Sequence, residues 1–219
     1  MVVIPSRRRR ARRKALPPGL RSLRRRERLF VVGVVAVIAV LAALFRSEPK
    51  ALPVSGGDMD CYHDKTFRVV HVVDGDTLDI DVPDGSKPKT RIRLWGVDTP
   101  EVAHGGQAAD HFGDEARRFA RDTLEGCDVH VVLWDKDTRD RYERLLAYVL
   151  LERGGAMFNE MLIDEGLAYA DTRFRHPHDD QFEAAERRAR REGRGLWRDV
   201  TPDKMPEWRR RRESSGGGG

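Results

Sequence analysis

The chain has 219 residues, a formal net charge of +5 and a charged fraction of 35%. That length suits one ordinary domain with appended segments. The charge is unevenly placed: residues 1–28 carry a net +11 and residues 29–45 carry none, so residues 46–219 must carry −6. Nonspecific affinity for nucleic acid comes mostly from Lys and Arg side chains that neutralise phosphates. The composition therefore excludes a domain that binds nucleic acid through a broadly basic surface.

The first part of the chain predicts a membrane anchor. Residues 29–45 form a run of 17 residues without a polar side chain, which as a helix spans roughly 25 Å. Arginines crowd the run on its N-terminal side and only Arg46 follows it. By the positive-inside rule, residues 1–28 stay in the cytoplasm and the rest becomes extracytoplasmic, in a single-pass protein of the cell membrane. A cleaved signal peptide, which would give a secreted protein, is the alternative.

The basic segment of residues 1–28 has two interpretations. It can act only as the topology signal for the anchor. It can also contact anionic lipid or nucleic acid on the cytoplasmic side. The sequence gives no oligomeric state.

Residues 46–66 have the Pro, Gly and Ser content of a linker. After the linker, short β-rich or alternating stretches predict five strands, at residues 67–73, 77–82, 90–97, 129–134 and 144–151. Apolar residues at helical spacing predict three helices, at residues 114–125, 157–165 and 180–192.

This order of elements predicts an α+β domain over residues 67–197. We expect a small closed β-barrel of the OB type, with five strands and about three helices, preceded by one transmembrane helix. The stretch is long enough to bury a single core. Residues 198–219 are polar and end in Ser-Ser-Gly-Gly-Gly-Gly, which predicts a disordered tail.

Two acidic clusters stand at the ends of predicted strands. Residues 74–77 read Asp-Gly-Asp-Thr, and residues 98–101 read Asp-Thr-Pro-Glu after the strand that carries Arg93. Hard cations take oxygen ligands of this kind. Arginine beside such a cluster suits a phosphate, which a guanidinium can hold with two hydrogen bonds. The two clusters therefore predict a site for a cation and a phosphate.

Three motifs resemble the staphylococcal nuclease (thermonuclease) family. They are Val-Asp-Gly-Asp-Thr-Leu at residues 73–78, Arg-x-x-x-Val-Asp-Thr-Pro-Glu at residues 93–101, and Asp-Arg-Tyr-x-Arg-x-Leu-Ala-Tyr-Val at residues 140–149. They occur in the family's order at compatible separations, and the resemblance covers about residues 67–197. It implies an OB-fold hydrolase, a calcium-dependent endonuclease that cleaves single-stranded or duplex DNA and RNA. The implied products carry 3′-phosphate and 5′-hydroxyl ends.

The resemblance also implies a set of calcium ligands. Asp76 and Asp98 would supply carboxylates, and Thr99 would supply its backbone carbonyl. Asp74 would sit close behind them and support the water shell of the ion. These assignments are carried over motif by motif.

The catalytic residues implied by the resemblance are Glu101, Arg93 and Arg144. Glu101 would position or deprotonate the attacking water, and the two arginines would bind the scissile phosphate. Tyr142 and Arg141 are further candidates for substrate contact. Core packing is an equal alternative for Tyr142, and a solvated charge at a strand end is the alternative for Arg141.

The sequence departs from the family at Glu143, where the family usually has glycine. If the backbone there needs a positive φ, a residue other than glycine costs on the order of 1 kcal/mol. The Glu143 carboxylate could also pair with Arg144 and compete with a phosphate. For these reasons a noncatalytic module that binds nucleic acid or protein remains the alternative function.

Cys61 and Cys127 both follow the predicted anchor. If this part of the chain is exported, the two cysteines could form a disulfide that ties the entry segment to the end of the first helix. The sequence gives no distance between them, so free thiols are the equal alternative.

Overall fold

The computed structural model describes residues 56–103 and 105–216. The basic segment at residues 1–28, the predicted transmembrane helix at residues 29–45 and most of the predicted linker lie outside the described residues. Within the described ranges, no helix combines the length and the apolar character needed to cross a membrane.

The described chain holds seven strands and five α-helices. The strands are β1 (Lys65–Val72), β2 (Thr77–Ile80), β3 (Thr90–Leu94), β4 (Val97–Asp98), β5 (Asp128–Val132), β6 (Leu145–Leu150) and β7 (Tyr169–Ala170). The helices are α1 (Asp58–Tyr62), α2 (Gly113–Leu124), α3 (Phe158–Asp164), α4 (Asp179–Glu192) and α5 (Glu207–Gly216). Two 3-10 turns, Gly195–Arg198 and Pro202–Lys204, lie between α4 and α5.

Five strands form a closed barrel in the order β1, β2, β3, β6, β5, which confirms the predicted architecture. All neighbours are antiparallel except β3 and β6, which are parallel. The first half of β1 pairs with β5 and its second half pairs with β2, with an irregularity between Val69 and His71. Because β1 bends there, one strand can close both edges of the sheet.

The core fills the barrel and the space beneath α2. Alternating strand residues such as Val69, Ile92 and Val129 are fully buried. On α2, Ala116, Ala120 and Leu124 recur at a spacing of four residues and are buried. This spacing places them on one face, so the helix packs against the barrel along a narrow apolar stripe.

The predicted strand at residues 90–97 is divided in the structure. It ends at Leu94, and a turn at Trp95 and Gly96 separates it from β4. Gly96 has φ +75°, a conformation that glycine adopts without steric cost. After the turn, β4 leaves the barrel and pairs with β7 in a separate two-stranded sheet.

The structure also differs from the prediction at both ends of the domain. Helix α1 lies inside the predicted linker, and α5 lies inside the segment expected to be disordered, so the described helices outnumber the three predicted. Met205 and Trp208 pack with Leu196 and Tyr169 in a second apolar cluster. Arg209 forms a buried ion pair with Glu186 of α4. Apolar side chains and paired charges together stabilise a segment whose composition is mainly polar.

Candidate active site

Asp76 lies in the turn between β1 and β2. The Asp74 carboxylate accepts a hydrogen bond from the Asp76 N–H at 3.1 Å, which shapes the turn. The Asp76 carbonyl accepts from the Leu94 N–H at 2.8 Å, which joins the turn to the end of β3. The Asp76 residue is only 1% exposed. A buried carboxylate of this kind requires partners for its charge.

Asp98 and Thr99 are brought to Asp76 by the turn at Gly96. The Thr99 N–H donates to Oδ2 of Asp76 at 2.8 Å, so the two acidic segments are hydrogen-bonded directly. Gly75 packs between them and α2, since a Cβ there would lie 2.7 Å from Thr99 Cγ2 and 2.9 Å from Ala116 Cβ. The close approach of these segments therefore depends on a residue without a side chain.

Arg93 lies on β3, opposite Thr77 of β2. Its guanidinium bonds Oδ1 of Asp76 and, at 2.8 Å, Oδ1 of Asp98. It also donates to the Val97 carbonyl at 3.2 Å. The Arg93 side chain is 16% exposed, so a small part of it reaches the surface. The two predicted calcium carboxylates thus converge on one of the predicted phosphate-binding arginines.

The charges at this point are unbalanced. Burial raises the pKa of Asp76 to about 6; Arg93 opposes this shift and Asp74 adds to it. Burial also raises the pKa of Asp98, against the effect of Arg93 and with the help of Asp76. Burial alone would lower the pKa of Arg93, but Asp76 and Asp98 raise it. The charged form of Arg93 is therefore favoured, while burial disfavours the charged form of each carboxylate. The excess of negative charge follows from the groups present, since four carboxylates face only Arg93 and Arg173: those of Asp74, Asp76, Asp98 and Asp171.

Glu101 lies beyond the proline turn, on the outer side of the acidic site. Its N–H faces the Asp110 carboxylate at 3.4 Å, and its carbonyl accepts from the Asp110 N–H at 2.8 Å. The residue is exposed, yet protein atoms crowd its carboxylate enough that lost hydration raises its pKa. The charges of Asp76 and Asp98 raise it further, while Arg93 lowers it. A carboxylate with a raised pKa is better suited to accept a proton.

A pocket of about 460 Å³ joins Arg93 to the second predicted arginine, Arg144. Tyr142 and Arg141 also line it, and their contact with substrate stays a prediction. Tyr142 is 61% exposed, which excludes core packing for this side chain. The Arg141 guanidinium lies 4.7 Å from the centre of the Tyr142 ring and donates to its hydroxyl at 2.6 Å.

The turn that carries Arg144 has the strained backbone that the sequence predicts. Glu143 has φ +61°, so a glutamate occupies a left-handed position that favours glycine. The Arg144 side chain does not pair with Glu143. It bonds the Asp140 carboxylate at 2.6 Å, and its own N–H donates to the same carboxylate at 3.0 Å. Asp140 therefore holds Arg144 beside the pocket.

Two residues at the site were missed by the sequence analysis. Nη2 of Arg173 lies 3.1 Å from Oδ1 of Asp98. Nε1 of Trp208 donates to Oδ2 of Asp98 at 2.8 Å. No motif contains either residue, and a tryptophan in the polar C-terminal segment is the one signal in the sequence that could have indicated a packed position.

The structure does not bring Cys61 and Cys127 together, and both are free thiols. Cys61 is in α1, which leads into the first residue of β1. Cys127 instead hydrogen-bonds through its carbonyl to Val69, four residues further along that strand. Of the two alternatives left open by the sequence, the structure therefore has the free thiols and not the disulfide.

The chemistry of the donor set fits a hard cation. Asp76, Asp98 and the Thr99 backbone provide oxygen atoms, the type of ligand that calcium prefers. The excess of negative charge is the condition that a cation would relieve. Among residues 56–103 and 105–216, however, no three His, Cys, Asp or Glu side chains are grouped closely enough to hold a metal ion by themselves. Arg93 occupies the position between the two carboxylates.

The fold and the site define a small-barrel protein with an acidic and arginine-rich pocket. The family described as Staphylococcal nuclease homologue matches residues 91–199. The chain is 36% identical over 165 residues to the thermonuclease of Staphylococcus hyicus, covering 75% of this chain and 93% of that protein. It is 33% identical over 167 residues to the thermonuclease of Staphylococcus intermedius, covering 75% and 94%.

A third relative comes from a different bacterial group. The micrococcal nuclease of Shigella flexneri is 35% identical over 150 residues, covering 65% of this chain and 79% of that protein. With these similarities and the closed barrel, the chain belongs to the staphylococcal nuclease family.

Proposed function

We propose that this protein is a calcium-dependent nuclease, a hydrolase that cleaves phosphodiester bonds in DNA and RNA. The observation that carries the proposal is the convergence of Asp76 and Asp98 on Arg93, at the edge of a pocket that also contains Arg144. Relatives named thermonuclease and micrococcal nuclease cover most of the domain and support the nuclease part of the proposal.

Calcium would be held by Asp76, Asp98 and the Thr99 carbonyl, with Asp74 close behind. When bound, the ion would offset the negative charge of the phosphate and orient the phosphate and water. The hydrogen bond from Thr99 to Asp76 and the close packing at Gly75, which keep the two acidic segments together, support this assignment.

The protein side chains would bind the phosphate and handle the proton of the attacking water. Arg93 and Arg144 supply fixed guanidinium donors for the phosphoryl oxygens, where negative charge grows as water adds. Glu101 would accept a proton from that water, a role for which its raised pKa is suitable. The new bond joins the water oxygen to phosphorus, and the bond to the 5′ oxygen breaks. The 5′ oxygen leaves as a hydroxyl after taking up a proton, and the phosphate stays on the 3′ end.

A digestion experiment tests this function. The purified full-length protein is incubated with a single-stranded oligonucleotide and with a plasmid, in calcium and in EDTA. We expect cleavage in calcium only, with 3′-phosphate and 5′-hydroxyl ends. Asp76→Ala and Arg144→Ala should each lower the rate by about two orders of magnitude or more, because each removes a group that acts on the charged phosphate.

Arg91→Ala is the matched control for the arginine variant. Arg91 lies on the same strand as Arg93 but pairs with Asp79 at 2.8 Å, outside the pocket. We expect wild-type turnover from this variant. Wild-type turnover in Asp76→Ala or Arg144→Ala would overturn the assignment of the site. Binding of the oligonucleotide without cleavage, even in calcium, would instead identify a noncatalytic binding module.

We also propose that residues 29–45 anchor the protein in the cell membrane, with the nuclease domain on the extracytoplasmic side. The uncharged run and the arginines before it support this proposal. Protease added to intact cells should remove the domain. Full protection of the domain would contradict the orientation, and release of the intact domain into the medium would indicate a cleaved signal peptide.

A further inference from the structure

Arg173 has features of a ligand-binding residue that no motif assigns. It follows β7, and its Nε and Nη2 atoms donate to the Asp171 carboxylate at 2.8 and 2.7 Å. Nη2 also lies 3.1 Å from Oδ1 of Asp98. Within the described residues, Nη1 makes no hydrogen bond or ion pair, so two donors of the guanidinium are available. The Arg173 side chain is 38% exposed, and solvent or a ligand can reach it.

Arg173 lies between two pockets. It lines the pocket of about 460 Å³ together with Arg93 and Arg144. It also lines a neighbouring pocket of about 340 Å³, which includes Arg175, Arg212 and Trp208. The two pockets share Arg173 as a lining residue. A strand whose scissile phosphate is held by Arg93 and Arg144 therefore has room to continue past Arg173.

Trp208 fixes the position of the Arg173 guanidinium. The central carbon of the guanidinium lies 4.7 Å from the centre of the indole ring, within the range of a cation–π contact. The indole N–H is bonded to Asp98, and the buried pair of Arg209 and Glu186 holds α5 to α4. Because Arg173 is held by stacking and by two carboxylates, it would lose little rotamer entropy on binding a ligand.

We propose that Arg173, supported by Trp208, binds the phosphate adjacent to the scissile one. The ligand is the internucleotide phosphate of a nucleic acid strand, so this inference rests on the proposed nuclease function. It gives the C-terminal helix an indirect part in substrate binding, because Trp208 positions Arg173. It also explains how an acidic domain can hold a polyanion, since a third arginine extends the local site without a basic surface.

The test uses thymidine trinucleotides in which one of the two linkages is a neutral, uncleavable methylphosphonate. The two isomers place the neutral linkage on the 5′ or the 3′ side of the one cleavable phosphodiester. For the full-length protein in calcium, kcat/KM at that phosphodiester is compared with kcat/KM for the same bond in the all-phosphate trimer. We expect one isomer to be cleaved roughly tenfold more slowly than the all-phosphate trimer, because it lacks the charge that Arg173 binds.

In the Arg173→Ala variant, kcat/KM for the all-phosphate trimer should be about tenfold lower than in the wild-type protein. The neutral linkage should then cause no further fall in kcat/KM. Such non-additivity is the signature of a direct interaction, which a purely structural role would not produce. Arg173→Lys keeps the charge and should recover part of the response. Arg91→Ala is again the matched control, because Arg91 lines neither pocket and pairs with Asp79. It should respond to the neutral linkage as the wild-type protein does.

Two outcomes would overturn the proposal. If Arg173→Ala remains as sensitive as the wild-type protein to the neutral linkage in both isomers, Arg173 only stabilises Asp98 and Asp171. If the wild-type protein cleaves neither the trimers nor a longer oligonucleotide, the proposed nuclease function fails, and this role of Arg173 fails with it.

Discussion

At Gly75 the absence of a side chain sets the geometry of the acidic site. The residue is buried where the Asp74–Thr77 turn, Thr99 and α2 meet. Any Cβ at this position must displace Thr99 or Ala116, since both lie less than 3.0 Å from where it would be. The hydrogen bond between Asp76 and Thr99 spans the same gap, so displacement would separate the proposed calcium ligands.

Gly75→Ala should therefore strongly reduce kcat/KM while the protein stays folded with a moderately lower free energy of unfolding. We expect kcat/KM to fall by about a hundredfold, the effect of misplacing catalytic groups by about 1 Å. The free energy of unfolding should fall by about 1–3 kcal/mol, as for other overpacked positions. Kinetic assays and urea unfolding of the same preparation measure the two effects. Gly57→Ala is the control, because a Cβ there meets nothing within 4 Å; equal losses in both variants would contradict the role of Gly75.

The strain at Glu143 gives a second residue-scale prediction. Glu143→Gly should increase the free energy of unfolding by about 1 kcal/mol, because glycine adopts φ +61° without the clash that a Cβ makes. Urea unfolding with a constant m-value provides the measurement. Glu143→Ala removes the same carboxylate but keeps the Cβ, so it should give no such gain. A gain of equal size in the alanine variant would assign the effect to charge instead of backbone strain.

The sequence was sufficient to predict the residues that lie within motifs. Asp76, Asp98 and Arg93 converge as expected, because motifs at strand ends bring their residues to one edge of a barrel. Arg173 and Trp208 could not be predicted in this way. Their role depends on contacts between segments distant in sequence, and the Trp208–Asp98 bond joins residues 110 positions apart.

Among the elements, α1 is held to the barrel by one partly buried set of charges. Arg139 donates to the Asp58 carboxylate at 2.7 Å and to the Asp84 carboxylate at 2.8 Å, and Thr138 donates to Asp58 at 2.8 Å. Burial would raise the pKa of Asp58, but the hydrogen bonds from Arg139 and Thr138 outweigh burial and lower it. The short helix has a single buried side chain, Tyr62, so these bonds account for much of its attachment.

Stability from Asp58 should therefore depend on pH. A carboxyl group with a lowered pKa in the folded state stabilises the protein above its unfolded pKa, near 3.8, and this contribution disappears as the pH falls below that value. Asp58→Asn should cost about 1–2 kcal/mol at neutral pH, after allowance for solvent screening. The cost should shrink below about pH 4, as measured by urea unfolding. Asp60→Asn, in the same helix but exposed, should cost little at either pH.

Elements were predicted well where hydrophobic period and length agree. The five barrel strands and α2, α3 and α4 were all expected from their spacing. The break in the strand at Gly96 was not predicted, because Trp95 and Val97 continue the apolar pattern of the preceding residues across the turn. Helix α5 was missed for the opposite reason: its arginines look like a solvated tail, and their partners, such as Glu186, lie on α4.

For the whole molecule, the negative charge of residues 46–219 limits how the protein can bind nucleic acid. Within these residues, binding must come from a few arginines in the pocket, so it should depend only weakly on salt. With about three phosphates neutralised on a single strand, a plot of log K against log salt concentration should have a slope of about −2. Fluorescence anisotropy with a labelled single strand in EDTA measures this slope without cleavage, on a protein shortened to residues 46–219 so that the basic segment of residues 1–28 does not contribute.

Arg173→Ala should reduce the magnitude of the slope by about 0.7, the contribution of one phosphate contact on single-stranded DNA. Arg91→Ala again serves as the control and should leave the slope unchanged. A slope of about −5 or steeper in the wild-type protein would mean that many more phosphates are contacted than this pocket allows.

The parallel pairing of β3 with β6 has a consequence for how this protein can be altered. Arg93 is the register partner of Leu146, and Arg144 stands just before β6 begins. The position of Arg93 is thus fixed by main-chain hydrogen bonds inside the sheet, and that of Arg144 by the start of β6 and the turn that Asp140 holds. Extra residues inserted in the exposed stretch at residues 85–89 would leave the spacing of the two arginines intact. That stretch is therefore a suitable place to graft a peptide tag or a targeting sequence onto a working enzyme.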